Sequence, residues 1–338
     1  MSEFLAAARG RRVEMSTVVV DRLLRKPFRI AGEEHVDITA LLVTVTSGSG
    51  ASGEGECNPF AVPGWDLRRC MTELEAVQPF LGAGASRTEL FELMPAGPAR
   101  NALDSALASL DLRESAPLHT RRVQTDLASA KTVSLPAPGE DFEFDEVATL
   151  EVVKLKIDAT TPISVLEDLR NASSDVRVLV DANGSLDAEG VNRWLPALRE
   201  HRVEVFEQPM DPSADRYLAD VEDRGEVLFC ADESFQRIGD LSELSDRYDM
   251  VNIKLDKVGG PSAAVRAFAL ASGFGLKRMI GCMIGSSLAV APAWWLAAEA
   301  DFVDIDGPTL IVEDVQHAMQ WNGSRATRPS PLLWGSGT

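Results

Sequence analysis

The 338-residue sequence has little of what several classes of functional site require. Its four cysteines include no CxxC pair, which argues against a zinc site or a disulfide framework and favours a reduced, cytoplasmic setting. Its four histidines lie in polar surroundings away from the predicted strand ends, so histidine catalysis is not expected. No GxGxxG or GK(S/T) motif follows the pair Gly259–Gly260, which is therefore interpreted as a loop turn rather than a phosphate site.

Positive charge and long apolar runs are also scarce. The formal net charge is −19, whereas a nucleic-acid-binding protein needs a basic face, so no nucleic-acid partner is expected. No apolar run reaches the roughly 18 residues of a membrane span, and the basic residues of the opening segment follow its apolar patch, the reverse of a secretory signal. The composition instead offers 45% hydrophobic residues for a core and many carboxylates for a cation.

The pattern along the chain divides it into four segments. We interpret them as an N-terminal extension, an α+β capping domain, a barrel, and a segment that packs back on the cap, at residues 1–15, 16–115, 116–315 and 316–338. Alternating apolar and polar residues from Ser16 to about Val45 predict antiparallel strands, and helices are expected around residues 66–80 and 96–113. Met15 is an alternative start of the chain.

The pattern of residue types changes at about residue 130, where short runs of β-branched residues begin to alternate with helical stretches. Eight strands are predicted, at residues 131–135, 151–157, 177–181, 203–207, 228–232, 250–254, 278–282 and 302–305. Eight strands with intervening helices are typical of a (β/α) barrel. The helix between the first two strands is assigned to the stretch "GEDFEFDEVATL".

Five of these strands carry a charged residue at or next to the carboxyl end. Lys156, Asp181, Glu207, Asp232 and Lys254 follow one another at intervals of 25, 26, 25 and 22 residues, each about one strand–helix unit. A single charged residue at a strand end is usually a loop residue or part of a surface ion pair. Because the carboxyl ends of barrel strands converge on one face, however, five in order at this spacing predict a common site.

Such a site has a definite chemistry. Three carboxylates, from Asp181, Glu207 and Asp232, suit a hard cation such as Mg²⁺ and leave room for a substrate carboxylate. A metal-bound carboxylate has a more acidic α-carbon, because the enediolate formed on proton loss is stabilised electrostatically. Lys156 and Lys254 are expected on the two faces of that carbon. Each needs a lowered pKa to act as a base, and Lys154 is the predicted cationic neighbour of Lys156.

Five short motifs resemble those of the enolase superfamily, specifically its muconate lactonizing enzyme subgroup. They are "KLK" (154–156), "VDANG" (180–184), "EQP" (207–209), "ADES" (231–234) and "NIKLDKVGG" (252–260). The resemblance, which spans residues 16–335, implies an α/β fold: a modified (β/α)₇β TIM-type barrel with an N-terminal α+β capping domain. It also implies a bound Mg²⁺ on the three carboxylates and an acid/base pair formed by the two lysines.

Two further stretches, "MIGCMIGSSLAVAPA" (279–293) and "DFVDIDGP" (301–308), are similar to the dipeptide epimerases of this subgroup. The resemblance implies that Asp304 and Asp306 bind the free α-ammonium of a dipeptide, although Asp306, followed by Gly and Pro, would by itself favour a turn. The substrate contacts it implies are Thr132, Lys154, Asn183, Cys282, Ile284, Asp304 and Asp306. The expected enzyme is a Mg²⁺-dependent epimerase that inverts the C-terminal α-carbon of a dipeptide, with a homo-oligomer as one option.

One departure concerns the cap loop after "PFRIA", which usually carries an arginine in epimerases of acidic dipeptides. This chain has "GEEH" at residues 32–35, and Arg25 and Arg29 stand at different positions. A neutral or cationic dipeptide is therefore expected. The alternatives are an o-succinylbenzoate synthase or N-succinylamino acid racemase, whose substrates lack the ammonium, another muconate-cycloisomerase-like enzyme, and a non-catalytic metal-binding scaffold.

Overall fold

The computed structural model describes residues 10–60, 62–114 and 125–335, so residues 1–9 of the predicted extension lie outside the described part of the chain. The described residues form an N-terminal α+β cap and a barrel of eight parallel strands, which confirms the predicted fold class. None of the helices in these ranges is both long enough and apolar enough to cross a membrane.

The cap is a three-stranded antiparallel sheet with helices packed on it. Its elements are β1 (Val13–Ile30), β2 (Glu33–Ser47), β3 (Ser52–Cys57), α1 (Leu67–Ala83), α2 (Leu90–Leu93) and α3 (Pro98–Glu114). Strand β1 begins at Val13, so the prediction that residues 13–15 belong to a separate extension is wrong. The reason is strand pairing, since Met15 lies opposite Val45 and packs against the cap core.

Helix α3 is buried almost all round, from Pro98 to Asp111. The sequence shows one apolar face, but the other face is also covered, because α3 lies between the cap sheet and the barrel. Its approach to β3 is close: a Cβ added to Gly53 or Gly55 would overlap backbone carbonyl oxygens of the helix. These two glycines therefore allow the cap helix and sheet to pack in direct backbone contact.

The barrel contains eight parallel strands that follow one another in sequence order around the sheet. They are β5 (Lys131–Val133), β6 (Val152–Lys156), β7 (Arg177–Asp181), β8 (Val203–Glu207), β9 (Leu228–Ala231), β10 (Met250–Lys254), β11 (Lys277–Gly281) and β12 (Phe302–Asp304). The first and last strands meet where the Ala130 amide donates to the Val303 carbonyl at 2.8 Å. Every predicted barrel strand overlaps an observed one.

Helices connect most of these strands on the outside of the barrel. They are α4 (Val165–Ala172), α5 (Ala188–Glu200), α6 (Leu241–Leu244), α7 (Leu255–Val258), α8 (Pro261–Gly273) and α9 (Ser287–Leu296), with 3₁₀ turns at Val147–Thr149, Asp215–Asp220, Ile238–Asp240, Ala297–Glu299 and Gly307–Thr309. The predicted helix between β5 and β6 is wrong, since only the first of these 3₁₀ turns forms there. Phe142 and Phe144 are two residues apart and stack on each other, a spacing that one helix face does not provide.

Side chains alternate between the two faces of each barrel strand. In β6, Val153 and Leu155 belong to the cluster between strands and helices, whereas Val152 belongs to a second cluster that includes Leu179 of β7 and the equivalent residues of other strands. Lys154 continues the Val152 side. The lysines of the KLK motif are therefore buried because they point into the barrel.

The end of the described chain contacts both units. Strands β13 (Trp321–Asn322) and β14 (Arg325–Thr327) form a small antiparallel sheet with β4 (Asp126–Ala128) beside the barrel. Farther on, the indole of Trp334 donates to the Ser105 carbonyl in α3 at 3.0 Å. The C-terminal segment thus lies against the cap helix as well as the barrel.

Gly55→Ala tests the close contact between β3 and α3. We expect a loss of about 1–3 kcal/mol in the free energy of unfolding, because a methyl group there overpacks a closed interface. Urea unfolding followed by circular dichroism measures it. Gly48→Ala is the matched control, since no atom lies within 4 Å of its added Cβ; equal stabilities of the two variants would contradict the expectation.

Candidate active site

The carboxyl ends of five strands bring the five predicted charged residues into one mouth. Lys156 ends β6, Asp181 ends β7, Glu207 ends β8, Asp232 directly follows β9, and Lys254 ends β10. Three strands separate β6 from β10 in either direction around the sheet. In a barrel such strands face each other across the interior, so the two lysines enter from opposite sides with the carboxylates between them.

The three carboxylates form a compact, buried cluster. One carboxylate oxygen from each of Asp181, Glu207 and Asp232 lies within 4.8 Å of the others. The Asn252 side chain fixes one of them, because its Nδ2 donates to Glu207 Oε1 at 2.8 Å. The next strand makes room for this asparagine with Gly281, where any Cβ would overlap the amide.

Lys154 is the charge at the centre of the cluster. Its Nζ lies 2.9 Å from Asp181 Oδ2, 2.8 Å from Glu207 Oε2 and 2.8 Å from Asp304 Oδ2. Burial alone would lower the pKa of Lys154, but the surrounding carboxylates outweigh it and raise that pKa well above its ordinary value. Lys154 is therefore an ammonium group.

Burial and the surrounding charges also shift the pKa values of the acids. Burial, followed by the negative charge of Asp181, raises the pKa of Glu207 to about 7. Burial acts in the same direction on Asp181, but Lys154 and Lys156 outweigh it, and the pKa of Asp181 falls to about 2. The pKa values of these two neighbouring acids are therefore shifted in opposite directions.

The two lysines proposed as bases each bond one of these carboxylates. Lys156 Nζ donates to Asp181 Oδ2 at 2.6 Å and to Asn183 Oδ1 at 3.1 Å, and Lys254 Nζ donates to Asp232 Oδ2 at 2.7 Å. The predicted lowering of the pKa is wrong for Lys254 in this arrangement. Burial is the largest single influence and lowers the pKa of Lys254, but Asp232, Glu207 and Glu233 together outweigh it and raise that pKa above its ordinary value.

Gln208, in the EQP motif, orders the backbone around Asp232. Its Oε1 accepts from the Asp232 amide at 2.9 Å and from the Ser234 amide at 3.1 Å. Its Nε2 donates to the Met210 carbonyl and the Tyr248 hydroxyl, and its backbone φ of 34° is unusual for a residue other than glycine. The glutamine therefore connects the segments that carry Glu207 and Asp232.

Asp304 and Asp306 are both buried, but they do not share one strand. Strand β12 ends at Asp304, and Asp306 precedes the 3₁₀ turn at Gly307–Thr309, so the turn interpretation of Asp306 describes its backbone. Its Oδ2 accepts from the Thr132 amide at 2.8 Å and its Oδ1 from the Thr132 hydroxyl at 3.3 Å. Alternation along a strand therefore does not explain the pair.

The other predicted contacts lie around the same mouth. Asn183 bridges Lys156 and Glu233, whose Oε1 accepts from Asn183 Nδ2 at 2.9 Å. Cys282 and Ile284, which follow the carboxyl end of β11, line one small cavity. Burial, followed by the charges of Asp304 and Asp306, raises the pKa of the Cys282 thiol, which argues against a thiolate nucleophile.

Sequence reasoning missed four residues of the site: Gln208, Glu233, Asn252 and Lys257. All stand inside the quoted motifs, but none ends a strand, which was the signal used. Lys257 is the clearest case, since it lies on the short helix α7 and its Nζ donates to the Asp232 carbonyl at 2.6 Å and to its carboxylate. A basic residue three positions after Lys254, on the same helical turn, is the signal that would have found it.

The β1–β2 hairpin of the cap reaches over the barrel near the mouth. Leu24 packs with Ile311, and Ile284 lies against this cluster. Arg29 forms an ion pair with Glu34, and the Arg25 guanidinium donates to the Val312 carbonyl. Neither arginine is therefore an unengaged cation at the hairpin tip.

Comparison with known proteins agrees with this geometry. Residues 144–321 match the family model described as Enolase C-terminal domain-like. The chain is also 34% identical over 307 residues to the L-Ala-D/L-Glu epimerase of Escherichia coli (strain K12), covering 88% of this chain and 94% of that protein. The chain belongs to the enolase superfamily. The predicted resemblance, including its dipeptide-epimerase branch, is confirmed.

Two further members of the superfamily show the range of the similarity. An N-acetyl-D-glutamate racemase from a Pseudoalteromonas species is 35% identical over 252 residues, covering 73% of this chain and 79% of that protein. The crystal structure of an enolase family member from Agrobacterium tumefaciens, with bound sodium and L-Ala-L-Glu, has a TM-score of 0.86 at 31% identity and covers 96% of this chain and 100% of that one. These relatives place the chain among isomerases that act on amino acid derivatives.

Gln208→Leu tests the support of the carboxylate cluster. Loss of both acceptor bonds frees the Asp232 backbone, and we expect the affinity for Mg²⁺ to fall roughly 10–100-fold. Calorimetric titration measures it. Tyr248→Phe, which removes one partner of Nε2 but leaves the bond to Asp232, should lose less; unchanged binding by a folded Gln208→Leu protein would contradict the expectation.

Proposed function

We propose that the protein is a Mg²⁺-dependent dipeptide epimerase that inverts the α-carbon of the C-terminal residue by 1,1-proton transfer. One observation carries the proposal: Lys156 and Lys254 face each other across a barrel mouth that holds a buried carboxylate cluster. Two acid/base groups on opposite sides of a carbon can remove a proton from one face and return one to the other.

The residues of the cluster fit a divalent cation. Asp181, Glu207 and Asp232 supply only oxygen atoms, are almost completely buried, and stand close enough to share one ion. A bound cation would balance part of the negative charge of these three carboxylates. When bound there, the ion would supply positive charge that stabilises the negative charge developing on a substrate carboxylate.

The chain's own residues then have separate tasks. Lys156 and Lys254 would exchange base and acid roles according to the direction of the reaction. Lys154, held as an ammonium group, would place a second positive charge near the substrate carboxylate. Asp304 and Asp306 would bind the α-ammonium of the dipeptide, since two buried carboxylates favour a cation.

The second candidate is a racemase of N-acylated amino acids, whose substrates lack the ammonium. Two observations favour it: a relative 35% identical to this chain is an N-acetyl-D-glutamate racemase, and Asp304 already has a cationic partner in Lys154. The two buried aspartates still favour the dipeptide, because an acyl group would leave Asp306 facing a neutral amide.

The cap hairpin bears on which dipeptide is preferred. At its tip Glu34 pairs with Arg29, and Glu33 contacts His35 at 3.1 Å. Within the described residues, the tip presents no arginine or lysine that lacks an acceptor and could meet an acidic side chain. We therefore propose that neutral or cationic C-terminal residues are accepted at least as well as glutamate.

Single lysine variants test the two-base scheme. Lys156→Ala and Lys254→Ala should each reduce epimerisation by roughly 10²–10⁴-fold, while each keeps α-proton exchange for the one epimer whose proton faces the remaining lysine. Proton NMR in deuterated water with Mg²⁺ measures inversion and exchange separately. Lys277→Ala, at the far end of β11, is the matched control, and near-normal epimerisation by Lys254→Ala would rule the scheme out.

A substrate panel tests the chemical class. We expect kcat/KM for L-Ala-L-Leu and L-Ala-L-Lys to equal or exceed that for L-Ala-L-Glu, and free dipeptides to exceed their N-acetyl forms, because of the hairpin tip and the aspartate pair. Polarimetry or NMR measures each rate. A large preference for L-Ala-L-Glu would reject the hairpin proposal, and a preference for N-acetylamino acids would favour the second candidate.

A further inference from the structure

The segment that carries Lys254 continues directly into a region held by the cap. Lys254 is followed without a break by α7, by the pair Gly259–Gly260, and by α8. On the barrel side, Lys257 anchors this segment to Asp232. On the other side lies α3, about 155 residues earlier in the chain, which contributes three consecutive polar contacts.

The first two contacts come from neighbouring residues of α3. Asn101 Nδ2 donates to Asp256 Oδ1 at 3.1 Å. The Arg100 guanidinium donates to the Val258 carbonyl at 2.7 Å and to the Gly259 carbonyl at 3.1 Å. These are the carbonyls that the end of a helix leaves without an intrahelical partner, so Arg100 closes the C-terminal end of α7.

The third contact comes one turn farther along α3. Asp104 accepts from the Ser262 amide at 2.7 Å and from the Ser262 hydroxyl at 2.8 Å. Ser262 lies in the first turn of α8, where unsatisfied amides favour a carboxylate. Arg100, Asn101 and Asp104 together hold both ends of the turn that follows Lys254, and we call these three residues the cap clasp.

The paired glycines leave room for the side chains of the cap clasp. Gly259 has φ +85° and Gly260 has φ +108°, a region that suits glycine. A Cβ on Gly259 would lie 2.5 Å from Arg100 Nε, and one on Gly260 would lie 2.5 Å from Asp104 Oδ2. The interpretation as a loop turn is therefore incomplete, because both glycines also admit a cap side chain against the backbone.

The opposite lysine has no equivalent support. Lys156 lies in β6, which pairs with β5 and β7, and its Nζ contacts only barrel residues, Asp181 and Asn183. Across the described ranges, no hydrogen bond or ion pair joins the cap to β6. The two faces of the substrate would thus be served by lysines with different mechanical support.

We propose that Arg100, Asn101 and Asp104 are positioning residues for Lys254, so that the cap controls proton transfer on one face of the substrate. The inference rests on the proposed two-lysine function. Its physical basis is that proton transfer requires hydrogen-bond reach, and that a shift of about 1 Å in a reacting group costs roughly a hundredfold in rate. Loosening the turn at residues 255–260 moves Lys254 and leaves Lys156 in place.

Asn101→Ala and Arg100→Lys test the inference. Lys156→Ala and Lys254→Ala first assign which epimer exchanges its α-proton with which lysine. In both clasp variants, exchange from the epimer facing Lys254 should fall roughly tenfold or more, with kcat affected more than KM, while exchange with retention from the other epimer stays within about twofold. Inversion slows in both directions, since each direction uses both lysines. Arg100→Lys should lose less than Asn101→Ala, because lysine keeps the positive charge and N–H donors for the carbonyls at the end of α7.

Two controls separate positioning from general damage. Ser109→Ala alters a buried residue of the same helix whose hydroxyl has no hydrogen-bond partner among the described residues, and it should leave proton exchange on both faces unchanged. Glu56→Gln weakens a different cap–barrel contact, the one to the Ser286 amide and hydroxyl. It should slow α-proton exchange on both faces of the substrate by the same factor.

The inference would be overturned if the clasp variants slowed α-proton exchange equally on both faces of the substrate. It would also be overturned if exchange were not slowed in a variant whose circular dichroism is native. If one clasp variant fails to fold, the other decides. Failure of the proposed function looks different: the single lysine variants would then show no complementary loss of exchange between the two epimers.

Discussion

The structure depends on the mutual compensation of charges that the barrel removes from water. Lys154 Nζ lies within 2.9 Å of three carboxylates, and Lys156, Lys254 and Lys257 each bond one carboxylate directly. Burying an unpaired charge is costly, and breaking a buried pair leaves the same cost behind. The charged groups of the set therefore depend on one another for compensation. A cation and a substrate carboxylate would enter a site already arranged around alternating charge.

Parallel strands explain why this set could be located from the sequence. A barrel places the ends of successive strands side by side, so a repeat of about 25 residues between charged strand ends becomes proximity in space. That rule predicts that five charged residues lie together: Lys156, Asp181, Glu207, Asp232 and Lys254. The same alternation of strands and helices predicts the eight strands. The alternation of side chains also accounts for Lys154, two residues before Lys156 on the same face of β6.

The rule could not predict contacts made by residues between the strands. Gln208 accepts a hydrogen bond from the Asp232 amide, which follows the neighbouring strand β9. Lys257 reaches Asp232 from a helical turn rather than from a strand end. Asp306 is brought beside Thr132 by a 3₁₀ turn. The directions of the pKa shifts could not be predicted either, because they depend on which carboxylates surround each lysine. The pKa of Lys254 is raised, since Asp232, Glu207 and Glu233 together outweigh burial. Loop geometry, unlike strand period, has no simple signature in one sequence.

In the cap, too, the sequence predicts the elements but not all of their contacts. Its strands and helices follow from apolar patterning, but the pattern marks only one face of α3, whereas the helix is buried on both. The second face serves the barrel, where it meets the turn after Lys254. The hairpin of β1 and β2 meets the barrel elsewhere, at Ile311 and Ile284. Because the two contacts use different cap elements, the substrate selection proposed for the hairpin and the support proposed for Lys254 would depend on different side chains of the cap.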